Sequence, residues 1–455
     1  MLNIEHYLDS NNAKDLLWND IKVISKEFEE SLNSLDRKLT GSYYTSFELA
    51  SIMMQELIES YSTTEKQNLY KKRFLEPCVG VGNFVFAYLK EVSKLDFNKN
   101  QVSELINNIY VCDINKKALE EYKKILTIFS KVYFDIDLDN AYFDQHLGSG
   151  LLFDVTLDTP QYISISDIFD SNIVSDGFDI IVTNPPYKNL KAEKGQYHNN
   201  DLYISDKEKY KKISNLAKNK LIYSTDGVLN LYKLFVEEII DKYANKDAHI
   251  SLLIPSTILS DKTCSKLRTY MLLNTSILSI KVINEGSGYV DAQQSLCTLL
   301  IDKGGSQKNI KMIKDFCENP NQITEISIDD ILDENTGNAI FPMNNQEYTM
   351  LKQLRKFPII KELDFIINMR GELDVTANKN FITNSNKKYK LLRGRNIGYY
   401  QLSDVDVIEY VEDDFIEKSS KKQYILNDRI ICQQVVNMKK ERRITYAYIK
   451  ENYVL

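Results

Sequence analysis

The sequence contains no run of about eighteen apolar residues, the length that a membrane-spanning helix requires. Its first residues, Met1 to His6, have neither the basic nor the apolar region of a secretory signal peptide. We therefore expect a cytoplasmic protein with no membrane partner.

Cysteine and histidine are also scarce, with six and four residues in a chain of 455. The cysteines form no Cys-x-x-Cys pair, and several lie inside apolar runs. Neither a disulfide framework nor a zinc site has this pattern. We therefore predict reduced core cysteines and no bound metal.

Over most of the chain, Lys and Arg are fewer than Asp and Glu, and the formal net charge is −7. Residues 351–455 are the exception, with 20 Lys and Arg against 14 Asp and Glu. A modest basic excess suits contacts with phosphates, although many solvated surfaces have the same composition.

With 43 % hydrophobic residues over this length, the chain can bury one large core or two to three ordinary ones. From residue 73 to residue 301, short apolar runs alternate with helical patterns, which predicts an α/β fold with ligands at the carboxyl ends of its strands. Beyond them, Lys303-Gly304-Gly305-Ser306 has the composition of a linker. We therefore divide the chain into an N-terminal helical segment (1–40), an α/β domain (41–305) and a mixed C-terminal domain (306–455).

The most informative stretch is the tetrapeptide Asn184-Pro185-Pro186-Tyr187, which follows the apolar strand pattern of residues 178–183. The prolines have no backbone donor for a ladder, so the strand must end here. An amide side chain, a fixed backbone carbonyl and an aromatic face can together hold a planar aromatic amine such as a nucleobase. A Pro-Pro turn after a core strand is the structural alternative.

Other strand ends carry related chemistry. Glu76 ends a strand before a turn with Gly80 and Gly82, where a carboxylate favours a cationic or zwitterionic cofactor over a dinucleotide. Asp113 ends the next strand, in the position of a ribose-hydroxyl acceptor or of a helix cap. Upstream, the aromatic and hydroxyl loop 41–46 precedes a helix and is either a ligand site or a plain cap.

In this order, the segments between about residues 40 and 305 resemble the N6-adenine DNA methyltransferases of bacterial restriction-modification systems, in the motif arrangement called gamma. The tetrapeptide is similar to the catalytic Asn-Pro-Pro-Tyr of that family, and residues 76–84 to its acid-Pro-x-x-Gly-x-Gly-x-Phe turn. The loop 41–46 is similar to its Gly-x-Tyr-Tyr-Thr-Pro element, with Ser46 in place of proline. The resemblance implies the class I methyltransferase fold, a doubly wound, Rossmann-like, mostly parallel seven-stranded sheet.

The resemblance also implies which residues bind S-adenosylmethionine. Tyr44 and Thr45 would touch its methionine part and Asp113 its ribose. Asp167 and Ile168 would contact the edge of its adenine, although the family often has Phe in place of the isoleucine. The full implied set is Tyr44, Thr45, Glu76, Pro77, Gly80, Gly82, Phe84, Asp113, Ile114, Asp167, Ile168 and Asn184.

The catalytic roles follow from the same resemblance. Asn184 and the Pro185 carbonyl would bind the amino group of an adenine flipped out of the duplex, and no metal or covalent intermediate is needed. Tyr187 would stack on one face of the base, and Tyr289 is our candidate for the other. Pro186 completes the catalytic tetrapeptide.

The family has a target recognition domain after the catalytic domain, which corresponds to residues 306–455. Arginines that flank a glycine suit contacts with phosphate or guanine, and a solvated surface is the alternative. Because the chain ends at Leu455 directly after a strand-like run, we expect recognition to be incomplete here or shared with another subunit. The candidate DNA-binding residues are Lys390, Arg393, Arg395, Lys439, Arg442 and Arg443.

The sequence thus predicts methylation of adenine N6 at specific sites in double-stranded DNA. This would be the modification activity of a restriction-modification or related phage-defence system, with a restriction or specificity subunit as a further partner. No stretch has the paired acids and nearby lysine of a nuclease, so we expect modification without cleavage. The alternatives are methylation of RNA adenine, methylation of a protein glutamine amide, and a non-catalytic DNA-binding specificity component.

Overall fold

The computed structural model describes residues 4–8, 10, 12–32, 41, 43–157, 159–170, 174–197, 199–290, 294–403, 405–434 and 444–455. The chain divides into two compact units, one that ends at Lys356 and one from Phe357 to Leu455. The first unit therefore continues past the boundary predicted at Gly305. It does so because residues 309–327 add strands to the same sheet, so the predicted linker is a turn inside this unit.

A large sheet forms the centre of the first unit. The strands described in this unit, numbered in chain order, are β1 (Phe74–Glu76), β2 (Ile109–Cys112), β3 (Leu147–Gly148), β4 (Leu152–Phe153), β5 (Tyr162–Ile163), β6 (Phe178–Thr183), β7 (Ala244–Pro255), β8 (Ser276–Ile283), β9 (Leu296–Asp302), β10 (Asn309–Ile313) and β11 (Thr324–Ser327). The sheet has nine strands in the order β11-β10-β8-β9-β7-β6-β1-β2-β3, and β4 pairs with β5 separately.

The strand order confirms a doubly wound, mostly parallel sheet. From β1 the chain proceeds outward to β3 on one side and from β6 outward on the other, so the order reverses between β1 and β6. Pairing is parallel from β3 through β7, and β9 is inserted antiparallel between β7 and β8. The predicted number of seven strands is wrong, because β10 and β11 extend the sheet beyond β8.

The strand β6 shows how the sequence positions the site. Ile180, Ile181 and Val182 are fully buried, as expected for a parallel strand that is covered on both faces. The strand ends before Pro185. Because β2, β1 and β6 are parallel neighbours, their carboxyl ends share one edge, and this brings together Asp113, Glu76 and Asn184.

Helices connect the parallel strands and precede the first of them. The helix Ala13–Ser31, here called the N-terminal helix, buries Leu17, Trp18, Ile21 and Ser25, and the Trp18 ring meets that of Phe47 edge-on at 5.1 Å. None of the described helices has the length and apolar content that a membrane span requires. The α-helices described in this unit are Ile4–Leu8, Ala13–Ser31, Phe47–Glu59, Thr63–Lys66, Asn83–Val92, Lys99–Asn107, Lys116–Phe134, Asn140–His146, Asn200–Lys220, Leu231–Glu238, Thr257–Ser260, Ser265–Asn274 and Asn345–Leu354.

The second unit has the mixed α+β composition that the sequence predicts. Its described strands are β12 (Ile382–Thr383), β13 (Tyr389–Leu391), β14 (Tyr410–Val411), β15 (Arg429–Cys432), β16 (Tyr446–Ile449) and β17 (Tyr453–Val454). Four of them form a sheet in the order β12-β14-β13-β17, and β15 pairs antiparallel with β16. The short helices Asp413–Lys418 and Lys422–Ile425 supply Ile416 and Ile425 to a small core that also contains Val411 and Val454.

Candidate active site

A cavity of about 410 Å³ lies at the carboxyl edge of β1, β2 and β6. This volume is that of a small-molecule site, roughly 300–1,000 Å³. The side chains at the three strand ends all line it, as expected at a point where the strand order reverses. The sequence-predicted residues in its wall are Tyr44, Thr45, Glu76, Pro77, Gly80, Phe84, Asp113, Ile114, Asn184 and Pro186.

The turn after β1 brings backbone close to the cavity at Gly80, which has a φ of +54°. A Cβ atom there would lie 2.8 Å from the ring of Tyr44, so the aromatic loop lies directly against the turn. Gly82, also a predicted cofactor-binding residue, packs against a helix. It does not line the cavity, and a Cβ on it would lie 2.6 Å from the ring of Tyr122, so this glycine permits packing against a helix.

Glu76 is the most unusual charged group in the cavity wall. Its side chain is 1 % exposed, and its Oε2 atom has no hydrogen-bond partner among the described residues. Burial, and then the charge of Asp113, raise its pKa well above the usual range, while a hydrogen bond from the backbone of Val85 acts in the opposite direction. A buried carboxylate without a counter-charge is costly, so this position favours a cationic ligand group.

Asp113 is held by the backbone around it. One carboxylate oxygen accepts from Gly80 N at 2.7 Å and the other from Asn115 N at 2.8 Å. Burial raises its pKa, and these two hydrogen bonds lower it. Each oxygen retains a lone pair for a hydroxyl group in the cavity. The alternative role predicted for Asp113 was that of a helix cap. That role belongs to Asn115, whose side chain accepts from the first turn of the helix Lys116–Phe134.

The predicted adenine-edge pair, Asp167 and Ile168, lies outside the cavity wall. Asp167 is exposed and accepts hydrogen bonds from Ser164, and neither member of the pair is among the cavity-lining residues. The reason lies in strand pairing. The strand next to β2 at the edge of the sheet is β3, whereas the strand before Asp167 is β5, whose partner among the described residues is β4. The wall next to β3 is therefore formed by the residues that follow it, namely Gly150, Leu151, Phe153, Val155 and Thr156.

Asn184 has a fixed amide orientation. Its Nδ2 donates to the carbonyl oxygen of Tyr43 at 2.8 Å and to Oγ1 of Thr45 at 3.0 Å. Its Oδ1 is buried and has no partner within the described part of the chain. The structure thus combines a fully engaged amide nitrogen with a free amide oxygen.

Tyr187 is buried beside the cavity, not in its wall. Its hydroxyl donates to the carbonyl oxygen of Leu253 at 3.0 Å, and its ring stacks on Tyr43 with centroids 5.5 Å apart. Burial raises its pKa well above the usual range, so the hydroxyl is a neutral donor.

Tyr289 lies close to the same loop. Its carbonyl accepts from Ser46 N at 2.9 Å, and the next residue, Val290, forms a β-bridge with Thr45. Its half-buried ring packs against Phe316 at 6.1 Å. The backbone of Tyr289 is therefore adjacent to residues that contact Asn184.

The basic residues of the second unit differ in their availability. Arg393 forms a bidentate ion pair with Glu409, with both N···O distances at 2.8 Å, so its guanidinium is already engaged. Lys390 and Arg395 have exposed side chains. The other predicted DNA-binding residues, Lys439, Arg442 and Arg443, lie outside the described residues.

Sequence analysis missed several residues of the site. Tyr43, Asn83, Leu231 and Phe235 line the cavity together with the residues after β3 named above. A second Gly-x-Gly pattern, at residues 148–150, could have predicted that the chain after β3 forms part of the cavity wall. No sequence signal marked Leu231 and Phe235, because their helix is distant in the chain.

The doubly wound sheet, the glycine turn and the acids at the strand ends define a Rossmann-like α/β domain. Residues 107–287 match the family model described as Eco57I restriction-modification methylase. Over these 181 of its 455 residues, the chain is thus similar to that family. The matched segment contains Asp113 and Asn184 but not the turn after β1, and no curated protein matches the chain.

Solved structures with a similar fold include three restriction-modification or DNA-bound proteins. A modification subunit ascribed to a type I restriction enzyme of Vibrio vulnificus is 13 % identical, with a TM-score of 0.46, over 74 % of this chain and 64 % of that one. The type IIL restriction-modification enzyme MmeI in complex with DNA is 12 % identical, with a TM-score of 0.49, over 95 % of this chain and 64 % of that one. The protein of a DrdV–DNA complex is 13 % identical, with a TM-score of 0.49, over 70 % of this chain and 34 % of that one. The chain thus spans less than two thirds of each, and likeness of this degree carries no inference about activity.

Proposed function

We propose that the first unit transfers a methyl group from S-adenosylmethionine to the N6 amino group of adenine in DNA. The observation that supports this most directly is the buried, unpartnered Oδ1 of Asn184. A buried acceptor costs free energy unless a donor reaches it, and the adenine amino group is a donor of suitable size. Its position at the end of β6 is where ligands bind in doubly wound sheets.

The cavity fits S-adenosylmethionine by the chemistry of its wall. The unpartnered, buried oxygen of Glu76 suits the ammonium group of the amino acid part, and Asp113 can accept from the ribose hydroxyls. Tyr44, Thr45 and the residues after β3 would enclose the remainder. When bound, the cofactor supplies the methyl group on a sulfonium centre.

The chain's own contribution to the reaction is polarisation and positioning. The lone pair of the adenine amino group is delocalised into the ring, which makes it a poor nucleophile. Hydrogen bonds from its two N–H groups to Asn184 Oδ1 and to the carbonyl of Pro185 favour a pyramidal nitrogen with a free lone pair. The donors of Asn184 are already engaged, so the amide needs no reorganisation.

The base must leave the duplex to reach Asn184, at a cost of roughly a few kcal/mol. We assign Tyr187 and Tyr289 to the two faces of the flipped base. The hydrogen bond of Tyr187 to Leu253 fixes its ring, and Tyr289 is held beside the loop that contacts Asn184. Because Tyr187 is not in the cavity wall, the base site would adjoin the cofactor site and not overlap it.

We assign DNA recognition to the second unit, with the exposed Lys390 and Arg395 as phosphate or base contacts. The same proposal makes the protein the modification component of a restriction-modification or related defence system in the cytoplasm. A restriction or specificity subunit would be its protein partner, and double-stranded DNA its substrate.

The experiment is transfer of a labelled methyl group from S-adenosylmethionine to unmethylated genomic DNA, followed by identification of the labelled nucleoside. N6-methyladenine is the expected product. Asn184→Ala should lower the rate at least about a hundredfold while leaving cofactor binding largely intact. Asn274→Ala, at an exposed helix end, is the matched control that should retain full activity.

Parallel reactions with RNA and with protein test the alternatives. Label in RNA adenine or in a glutamine amide, but not in DNA, would replace the proposed substrate. Label in DNA that persists in Asn184→Ala would overturn the mechanism and leave the substrate assignment intact.

A further inference from the structure

We infer that Asn83 is a positioning residue for Asn184, that it acts through the segment 43–45, and that Ser25 of the N-terminal helix holds it in place. The inference rests on the proposed function, because it concerns the amide that would receive the adenine amino group. It assigns a part in the reaction to a helix that lies outside the cavity.

The orientation of the Asn184 amide is determined by its partners. The carbonyl oxygen of Tyr43 can only accept a hydrogen bond, so the amide nitrogen must face it. The second N–H reaches the hydroxyl oxygen of Thr45. With both hydrogens engaged, Oδ1 is the only atom of the amide that remains to contact a substrate.

The segment 43–45 is in turn held by Asn83. Its Nδ2 donates to the carbonyl oxygen of Thr45 at 2.7 Å, and here too a carbonyl determines which way the amide faces. Its Oδ1 then accepts from the hydroxyl of Ser25 at 2.9 Å. Two successive amides thus have defined orientations, each set by a backbone carbonyl of one short loop.

Burial makes these hydrogen bonds consequential. Ser25, Thr45 and Asn83 are 5 %, 5 % and 7 % exposed, so water cannot readily replace a lost partner. These three side chains and that of Asn184 come from the N-terminal helix, the loop before the helix Phe47–Glu59, the first turn of the helix Asn83–Val92 and the end of β6. The orientation of the Asn184 amide therefore depends on how these separate segments pack together.

Asn83 also serves no evident purpose in its own helix. It is the first residue of Asn83–Val92, and this helix has no side-chain cap. Asparagine has a low helix propensity, so helix formation by itself does not favour it here. Its two side-chain hydrogen bonds instead lead to other segments, which supports a role in positioning the loop.

Loss of Asn83 would leave the Thr45 carbonyl unpaired and loosen the hydroxyl that restrains Asn184. The Asn184 amide could then rotate and present its nitrogen to the substrate amino group, where two donors would face each other. Because Asn83 also lines the cavity, kcat is measured at saturating S-adenosylmethionine, where we expect Asn83→Leu to lower it about tenfold. Ser25→Ala should act in the same direction, and Ser25→Thr should restore the wild-type rate.

The decisive readout needs no substrate. Selective ¹⁵N-asparagine labelling gives a side-chain amide resonance that is assigned to Asn184 by its absence in Asn184→Ala. In Asn83→Leu, these amide protons should exchange with solvent at least about tenfold faster than in the wild type. Asn108→Leu, which loses a similar amide-to-carbonyl bond to Tyr70 away from the cavity, is the matched control and should leave the exchange unchanged.

A double-mutant cycle with Thr45→Val provides the second test. If Asn83 acts through Thr45, the two substitutions together should lower kcat little more than Thr45→Val does by itself. Additive losses, or unchanged amide exchange in Asn83→Leu, would overturn the inference. A wild-type protein inactive on DNA would instead contradict the proposed function, and the exchange measurement would still decide the positioning role.

Discussion

Replacing Glu76 by glutamine should weaken cofactor binding and stabilise the fold. Gln has nearly the same shape, so Glu76→Gln removes the negative charge and keeps an acceptor for the Val85 backbone. Glu76 is fully buried, and its Oε2 has no partner among the residues that the structure describes. The charge therefore destabilises the ligand-free protein and becomes favourable only when a cationic group arrives.

The loss of affinity follows from the lost ionic hydrogen bond. Hydrogen bonds to charged groups contribute about 1.5–3 kcal/mol, which corresponds to a ten- to hundredfold weaker Kd for S-adenosylmethionine. The effect on stability has the opposite sign and depends on pH. Below the ordinary pKa of 4.5, the carboxyl group is neutral in both states and contributes no pH dependence.

As the pH rises from 4.5 through the raised pKa of the folded state, the unfolded chain releases its proton first, so stability falls. Glu76→Gln lacks this loss and should have a higher Tm than the wild type at neutral pH. The difference should disappear near pH 4.

Isothermal titration calorimetry measures the affinity, and thermal unfolding between pH 4 and pH 8 measures the stability. The matched control is Glu238→Gln, which changes another buried glutamate that pairs with Lys242 and does not line the cavity. It should lower the Tm and leave the Kd unchanged. Wild-type affinity in Glu76→Gln, or a lower Tm at neutral pH, would refute the reasoning.

Three further results are expected. Gly82→Ala should destabilise the first unit by about 1–3 kcal/mol, because its φ is +99° and the added Cβ would meet the ring of Tyr122. Urea denaturation measures this, and an unchanged stability would contradict the packing role. Tyr187→Phe should cost about 1–3 kcal/mol because it removes the buried hydrogen bond to the Leu253 carbonyl. It should nevertheless keep more activity than Tyr187→Ala, and equal rates would argue against stacking. Arg395→Ala should weaken DNA binding and reduce the salt dependence of binding, with an unchanged Tm. Arg393→Ala should instead lower the Tm, because it loses its ion pair with Glu409. The reverse pattern in binding and unfolding assays would exchange the roles of the two arginines.

The sequence by itself determined where the strands end and which chemistry lies there. Apolar runs that stop at Glu76, at Asp113 and before Pro185 are local signals, because burial and the missing donor of proline act on neighbouring residues. Since the carboxyl ends of parallel neighbours meet at one edge, the three acid and amide side chains could be predicted to share a site, and all of them line the cavity. The mixed α+β composition of the second unit was equally accessible.

Only the tertiary structure decided which segment became the third strand of the sheet. Tyr162–Ile163 alternates as well as many strands do, but its partner is β4, and Asp167 does not line the cavity. Strand pairing depends on contacts between distant segments, which no local pattern encodes. The same reason applies to the first unit's continuation past Gly305 and to the orientation of the Asn184 amide, which depends on the carbonyl of Tyr43, 141 residues earlier in the chain.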